Sequence, residues 1–301
     1  MASSVEFQAM LRAIALSAHG LGTTSPNPPV GCVILDAQGH PVGEGYHQRK
    51  GEAHAEGNAL RAAGAAARGG TAVVTLEPCN HVGRAPACRQ LLIDADIARV
   101  VIAMIDPTSR GEGGVTALRN AGIGVETGVL AGEARLVLGP WLEALDLGRP
   151  LVTWTYVAND AGTFGALERV STTGGLRISA DAVLRMDGHL EEGVPDSHGA
   201  GILRIPPRFP GLDPTDTLRV LYEGGVRSLL LDVGPDLAGP FMASGLVDHI
   251  IAYLPDELSS SHIPAGGVLG EGRPVIPDGF HITEISRVSG YVCLRARREH
   301  A

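Results

Sequence analysis

Aromatic residues make up only 4% of this 301-residue chain. Few side chains are therefore available to stack against the bases of a single-stranded nucleic acid. No apolar run reaches the roughly 18 residues that a transmembrane helix requires. The N-terminal residues 1–6 (MASSVE) lack the basic and then apolar layout of a signal peptide. From these absences we expect a cytoplasmic protein that does not interact with a membrane.

Positive charge and cysteine are also limited. The net charge is −9 and no basic block interrupts the chain, which argues against binding to nucleic acid but leaves room for a pocket that holds one phosphate. Only four Cys are present, which fits a reducing compartment better than a disulfide framework.

What the chain does contain is enough apolar sequence, 44%, for two domains of ordinary size. In the first half, short apolar runs alternate with helical patterns, which predicts an α/β sheet with parallel strand pairs covered by helices. The predicted strands are 30–35, 41–46, 71–76, 99–104 and 123–127, and helices are predicted to begin near residues 4, 54, 87 and 115. A capping box at Ser3 and Glu6 predicts the start of the first helix, with Phe7, Met10 and Leu11 on its apolar side.

A domain boundary is predicted near Gly148, between residues 1–147 and residues 148–301. The second half contains predicted strands at 151–157, 228–231 and 249–254, with a helix over 236–245. Residues 159–215 are rich in Gly, Pro and Asp and receive no assignment.

His54, Glu56, Cys79 and Cys88 form the pattern on which the functional prediction depends. One imidazole and two thiolates are ligands that zinc prefers, and three protein ligands leave the fourth tetrahedral position open for water. Glu56 follows His54 by two residues, where a general base could take a proton from that water and pass it to a leaving group. Zinc deaminases of nucleobases carry His-x-Glu followed by Pro-Cys-x-x-Cys, whereas here eight residues separate the cysteines.

A structural zinc site is the alternative, and it would need a fourth ligand. The nearest candidate, Cys32, lies within the apolar run 30–34 and is expected to be a buried core thiol. His54 and Cys88 are predicted near helix N-termini, whose partial positive charge favours a thiolate, and Cys79 follows a predicted strand. We therefore predict a catalytic zinc.

The first half resembles the pyrimidine deaminase domain of the bifunctional riboflavin-biosynthesis deaminase/reductase family. The resemblance covers roughly residues 5–145 and rests on four segments: PNPPVGCVI (26–34), VGEGYH (42–47), GEAHAE (51–56) and TLEPCNHVGRAPAC (75–88). The eight-residue spacing between the cysteines, filled by His-x-Gly-Arg, separates this family from cytidine, deoxycytidylate and tRNA deaminases. The resemblance implies a cytidine-deaminase-like, three-layer α/β/α domain.

The resemblance also implies roles for individual residues. His54, Cys79 and Cys88 would bind Zn²⁺, and Glu56 would shuttle protons in a hydrolytic deamination that releases ammonia. The substrate would be a diaminopyrimidinone ribosylamine 5′-phosphate. The residues expected to contact it are Asn27, His47, His81, Arg84 and Asp106. From position alone, Asn27 and His47 could equally be turn and surface residues with no role in binding. Arg84 could either pair with a phosphate or be a solvated loop charge.

One loop departs from the family pattern. Residues 106–111 read DPTSRG, where the family usually has Asp-Pro-Asn-Pro followed by a Gly-rich turn. Because that loop contributes to substrate binding in the family, this difference bears on the choice of substrate.

The second half resembles the family's dihydrofolate-reductase-like domain only in patches, at 149–153, 228–238 and 245–249. The sequence segments that bind cofactor and substrate in the family are replaced by other sequences here, as at 158–162 and 188–195. The second half is also shorter than that of its relatives. We therefore predict a degenerate reductase domain that binds no NADPH and serves as scaffold or oligomer surface. A homodimer or homotetramer is expected from the family alone.

The leading hypothesis is a zinc aminohydrolase of a small phosphorylated pyrimidine, in riboflavin supply or in a secondary pathway that uses the same intermediate. Four alternatives remain open: a fully bifunctional deaminase and NADPH-dependent reductase, a deaminase of another nucleotide-like substrate, a nucleic-acid editing deaminase, and a zinc-stabilised binding module. Consumption of NADPH would identify the first, and binding to RNA would identify the editing enzyme.

Overall fold

The computed structural model describes residues 1–81, 86–108, 113–158, 164–165, 174–209, 213–255, 268–269 and 273–299. The chain divides into two compact units, Met1–Gly139 and Pro140–Ala301. Within the described ranges, no helix is long and apolar enough to cross a membrane. The assignment of one function to residues 1–147 and another to 148–301 stays a prediction.

The first unit is built on a five-stranded sheet with the order β2-β1-β3-β4-β5. Its strands are β1 (Gly31–Leu35), β2 (Pro41–Tyr46), β3 (Thr71–Leu76), β4 (Arg99–Met104) and β5 (Gly124–Thr127). Its helices are α1 (Ser4–Ser17), α2 (Ala55–Ala63), α3 (Cys88–Asp94) and α4 (Gly114–Asn120), with 3-10 turns at Ala18–Gly20 and Gly64–Ala67. Strands β3, β4 and β5 are parallel, whereas β1 is antiparallel to both β2 and β3. Helix α5 (Ala131–Leu147) follows.

Glycines let the helices approach both faces of this sheet. A Cβ on Gly31 would lie 2.0 Å from the Ala13 carbonyl oxygen in α1. Gly45, which pairs with Cys32 across β1 and β2, faces α2, and its Cβ would lie 2.6 Å from the Ala55 carbonyl oxygen. Because neighbouring residues of a strand point to opposite faces, α1 and α2 cover opposite sides of the sheet. The expected α/β/α layering is confirmed.

Helix α1 begins with the predicted capping box. The Glu6 N–H donates to Ser3 Oγ (3.2 Å), and the Ser3 N–H donates to Glu6 Oε2 (2.6 Å). The predicted apolar side was partly wrong, because Phe7 and Leu11 are exposed while Glu6 is buried and accepts a hydrogen bond from Arg99 Nε (2.6 Å). The buried apolar residues of α1 are Ala9, Met10, Ala13 and Leu16.

The second unit contains an eight-stranded sheet, ordered β14-β15-β11-β6-β10-β8-β9 with β7 paired to β6. Its strands are β6 (Leu151–Ala158), β7 (Phe164–Gly165), β8 (Ala182–Arg185), β9 (Leu190–Glu192), β10 (Ser228–Asp232), β11 (His249–Pro255), β14 (Phe280–Val288) and β15 (Tyr291–Arg298). A separate two-stranded pair consists of β12 (Val268–Leu269) and β13 (Arg273–Pro274). The helices are α6 (Gly174–Ile178), α7 (Pro214–Glu223) and α8 (Pro235–Ala243).

Strands β8, β10, β6 and β11 are parallel and form the buried centre of this sheet. The Arg149 guanidinium binds the Asp248 carboxylate through two hydrogen bonds (2.7 and 2.8 Å), and Asp248 also accepts from the Val152 N–H. Trp154 Nε1 donates to the Val233 carbonyl oxygen (3.0 Å). These contacts fix the start of β6 and its packing against the end of β10.

The predicted strands agree with the observed ones to within one residue at each end. Helix α5, helix α7 and the hairpin of β14 and β15 were not predicted. The hairpin was missed because apolar and polar residues alternate only weakly along β14, which is exposed over most of its length. Helix α7 begins at the end of the segment 159–215, to which no element was assigned.

Candidate metal centre

Three elements of the first unit bring the predicted zinc ligands together. His54 is the N-cap residue of α2, Cys88 is the first residue of α3, and Cys79 lies three residues beyond the end of β3. The loop after a parallel strand and the beginnings of two helices meet at one edge of the sheet, which is where ligand sites occur in open α/β sheets.

The ligand atoms are close enough to share one ion. His54 Nδ1 lies 3.3 Å from Cys88 Sγ and 3.6 Å from Cys79 Sγ, and all three ligand atoms lie within 4.8 Å of one another. Zn–S bonds of about 2.3 Å and Zn–N bonds of about 2.1 Å in a tetrahedron put ligand atoms roughly 3.6–3.8 Å apart. The donor set therefore fits zinc with three protein ligands. Among the described residues, no other group of His, Cys, Asp or Glu side chains has this arrangement.

The two thiols differ in acidity. Hydrogen bonds from the Cys88 thiol, the His54 ring and the Cys88 N–H (3.3 Å) outweigh burial and lower the pKa of Cys79 below that of an ordinary thiol. The pKa of Cys88 is raised, first because its proton is held by Cys79 and then because it is buried. Of the two thiols, Cys79 is therefore the one that loses its proton more readily, and metal binding would displace the proton that the pair retains.

Glu56 lies in the first turn of α2 and is 3% exposed. Burial raises the pKa of its carboxyl above the ordinary value, although the charge of His54 opposes this. A carboxyl group of raised pKa next to the candidate ligands is better suited to accept and release protons than one of ordinary pKa. Cys32 faces the same helix and is fully buried, and burial followed by the Glu56 charge raises the pKa of its thiol well above the ordinary value. It is a core residue, as predicted.

His47 and Asn27 lie beside the ligands. His47 Nδ1 is 3.2 Å from the Ala53 carbonyl oxygen, which can only accept, so Nδ1 carries the proton. His47 Nε2 then accepts from Asn27 Nδ2 at 3.2 Å. Burial, and after it the charge of His54, lowers the pKa of His47 to about 4, so the ring is neutral at pH 7. The Asn27 amide is thus oriented by a buried and neutral imidazole.

The other predicted substrate residues lie elsewhere on this edge or outside the described residues. Asp106 follows β4 and its Oδ1 accepts from the N–H and the hydroxyl of Thr108 (2.8 and 2.7 Å). It lines a cavity of about 290 Å³ that Glu77 and Val115 also line. His81 is exposed. Arg84 lies outside the described residues, as do residues 109–111 of the loop that differs from the family pattern.

Two side chains outside the predicted set of site residues support the site. Asn58 Nδ2 donates to the carbonyl oxygens of Tyr46 (2.9 Å) and Ala53 (3.2 Å), which holds the loop between β2 and α2. The Glu77 carboxylate is buried and accepts from the Val115 N–H (2.8 Å). Asn58 lies four residues after His54 on the same side of a predicted helix, a spacing that could have identified it.

At the corresponding edge of the second unit, two polar groups among the described residues are paired with neighbouring side chains. A nucleotide phosphate at a helix N-terminus requires exposed backbone N–H donors. Gly234, the N-cap of α8, donates its N–H to Met186 Sδ (3.0 Å), and Pro235 at the first helical position has no N–H. The Asp232 carboxylate at the end of β10 pairs with Arg177 and Arg185 (3.3 and 3.6 Å).

Comparison with known proteins agrees with the geometry. Residues 4–104 match the cytidine and deoxycytidylate deaminase zinc-binding region, and residues 179–255 match the RibD C-terminal domain. The chain is 36% identical over 288 residues to the riboflavin biosynthesis protein RibD of Mycobacterium tuberculosis, covering 82% of this chain and 84% of that protein.

Of two further relatives, one matches only the first half of the chain and the other matches nearly all of it. The diaminohydroxyphosphoribosylamino-pyrimidine deaminase of Buchnera aphidicola is 49% identical over 142 residues, which is 47% of this chain and 96% of that protein. The solved structure of Acinetobacter baumannii RibD matches with a TM-score of 0.76 and 26% identity, covering 98% of this chain and 99% of that one.

Proposed function

Because the chain belongs to the RibD family of riboflavin-biosynthesis deaminases/reductases, we propose that it hydrolytically deaminates a diaminopyrimidinone ribosylamine 5′-phosphate. The observation that carries the proposal is the group of His54, Cys79 and Cys88 around one point, with the buried Glu56 two residues from the His ligand. The chain is a zinc-dependent aminohydrolase, and the identity of the pyrimidine and the roles of the individual residues are the proposed part.

The residues have separable roles. When bound, Zn²⁺ brings the pKa of a coordinated water to about 7. Glu56 accepts a proton from water and gives it to the exocyclic nitrogen, so that a C–O bond forms at the ring carbon, the C–N bond breaks, and ammonia leaves. The Asn27 amide, held through its Nδ2 by His47, is left with its carbonyl oxygen to accept from the ring edge of the substrate. Asp106, His81 and Arg84 are proposed to contact the ribosyl phosphate end.

The second unit is proposed to lack reductase activity. The Gly234 N–H is occupied by Met186, and Asp232 is engaged by two arginines, which supports the absence of NADPH binding at the described strand ends. Reduction would then be carried out by a separate protein, and the product would supply riboflavin synthesis or a secondary pathway.

A bifunctional enzyme is the second candidate, and the match of residues 179–255 to the RibD C-terminal domain favours it. The two candidates predict different consumption of NADPH after deamination.

The test is an ammonia-release assay on zinc-loaded protein with the diaminopyrimidinone ribosylamine 5′-phosphate, with and without NADPH. Ammonia is measured colorimetrically so that NADPH absorbance can be followed separately. We expect Glu56→Gln to retain zinc and to lose about 10²–10⁴-fold in rate. Glu133→Gln, at an exposed carboxylate of α5, is the matched control and should equal the wild type.

The outcomes separate the candidates. Ammonia release by wild type with NADPH unchanged supports a deaminase with an inactive second unit. Oxidation of NADPH that depends on prior deamination would establish the bifunctional enzyme instead. Zinc-loaded wild type that releases no ammonia would refute the proposed substrate.

A further inference from the structure

Glu77 joins the segment that carries a metal ligand to a helix 38 residues away along the chain. Its N–H donates to the Met104 carbonyl oxygen (2.8 Å), which continues the β3–β4 pairing past the last strand residue. Its Oε1 accepts from the Val115 N–H (2.8 Å), and the residue is 6% exposed. Both its backbone and its carboxylate are therefore fixed by tertiary contacts.

The carboxylate supplies a cap that α4 lacks in its own sequence. The N-cap residue of α4 is Gly113, which has φ +83° and no side chain that could accept a helix N–H. A carboxylate at this end of a helix also interacts favourably with the partial positive charge of the unpaired N–H groups. Glu77 thus fixes the position of the α4 N-terminus relative to β3.

The start of α4 in turn lies directly against the residues around Cys79. A Cβ on Gly114 would lie 2.5 Å from the Pro78 carbonyl oxygen, and one on Gly113 would lie 3.2 Å from Asn80 Nδ2. The residues on either side of Cys79 therefore lie against the start of the helix that Glu77 caps, Pro78 through its carbonyl oxygen and Asn80 through its side-chain amide.

Glu77 also borders the loop that is proposed to bind substrate. It lines the cavity of about 290 Å³ together with Asp106 and Thr108. Glu77 is thus hydrogen-bonded to the helix behind the ligand loop and lines the same cavity as the turn that follows β4.

We propose that Glu77 is a positioning residue for deamination: through the α4 N-terminus it fixes Cys79 for metal binding and the Asp106–Thr108 turn for substrate. The substrate part rests on the proposed function, whereas the metal part does not. In this role Glu77 acts through the backbone groups of Val115 and Met104 that it binds.

The experiment compares Glu77→Ala, Glu77→Asp and Glu77→Gln in the full chain. Zinc affinity is measured by competition with a chromophoric chelator, and kcat and KM are measured by ammonia release. We expect Glu77→Ala to weaken zinc binding about 10–100-fold, as loss of a group supporting a ligand does, and to raise KM. Glu77→Gln should recover most of both, because its amide oxygen can accept the same Val115 N–H.

Ser3→Ala is the matched control, since it removes a side-chain cap from α1 in the same unit, away from the ligands. It should lower the melting temperature but leave zinc affinity unchanged. If Glu77→Ala does not fold, Glu77→Asp, which withdraws the carboxylate by one methylene, should show a smaller loss of zinc affinity in the same direction.

The proposal is overturned if the folded Ala or Asp variants bind zinc as tightly as Ser3→Ala does, or if Glu77→Gln is no better than Glu77→Ala. If wild type binds zinc but releases no ammonia, the proposed function fails while the zinc comparison still decides the role of Glu77.

Discussion

The imidazole of His47 lies edge-on to the imidazole of His54, with 4.9 Å between ring centroids and 69° between ring planes. One ring is proposed to bind metal, and the other holds the Asn27 amide. His47 therefore has two separable effects, packing against a ligand and orienting a substrate contact.

Replacement of His47 should separate these effects. His47→Phe keeps a ring against His54 but removes the hydrogen bonds to Asn27 and Ala53, so we expect zinc content near wild type and a raised KM. Loss of a buried hydrogen-bond partner costs about 1–3 kcal/mol. His47→Ala should also lower zinc affinity, as measured by chelator competition. Equal zinc affinity in the two variants would show that ring packing does not support the ligand.

Cys79 should be the reactive thiol of the metal-free protein. Hydrogen bonds from Cys88 and the His54 ring lower its pKa below that of an ordinary thiol, so its alkylation rate should rise much less between pH 5 and pH 8 than that of an ordinary thiol. An ordinary thiol of pKa near 8.5 would react about tenfold faster with each pH unit in this range. Peptide mapping by mass spectrometry after treatment with iodoacetamide measures this.

The other three cysteines serve as internal controls for that experiment. The pKa values of Cys32, Cys88 and Cys293 are raised, and all three are buried, so they should label slowly. Zinc should protect Cys79. Labelling of Cys88 ahead of Cys79, or a steep pH dependence at Cys79, would contradict the assigned protonation.

Glu6 should make the first unit more stable above pH 4.5 than below it. Burial acts to raise the pKa of this carboxyl, but hydrogen bonds from Arg99 and the Ser3 N–H, with the Arg99 charge, outweigh burial and lower it. Because the folded pKa lies below the unfolded one, the contribution is complete above pH 4.5 and is lost as pH falls through the folded pKa. Glu6→Gln should cost about 1–3 kcal/mol at pH 7, as measured by urea unfolding.

The difference between Glu6→Gln and wild type should shrink as the pH is lowered towards 3. Glu133→Gln, at an exposed carboxylate, should differ little from wild type at any pH. A Glu6→Gln difference that is constant with pH would show that the ionised carboxylate is not the stabilising form.

Gly45 is predicted to be intolerant of a side chain. Its Cβ would lie 2.5 Å from the Ala59 nitrogen, so Gly45→Ala must displace α2, which carries His54 and Glu56. Overpacking of this kind costs about 1–3 kcal/mol, and zinc affinity should fall as well. Gly57→Ala, in the same helix, has its nearest contact at 3.6 Å and should stabilise the protein by about 0.5–1 kcal/mol in thermal unfolding. Similar effects of the two substitutions would contradict the packing argument.

Much of the first unit could be predicted from the sequence because its signals are local. Strands β2, β3 and β4 were predicted with their observed bounds, since their flanking turns and apolar runs are adjacent in the chain. The pattern of His54, Cys79 and Cys88 with Glu56 also follows from residue type and spacing. Its chemistry depends on those side chains wherever the fold places them.

From the sequence alone, we could therefore predict the candidate zinc ligands, the candidate general base and the alternation of strands and helices. Tertiary structure alone decided that Glu6 turns inward to Arg99 while Phe7 and Leu11 stay exposed, and that Glu77 caps a helix through Val115. These outcomes depend on contacts between residues 38 to 93 positions apart, and the free energy of such contacts is set by which groups the fold makes neighbours. Helical periodicity and residue spacing do not contain that information, because they describe neighbours along the chain.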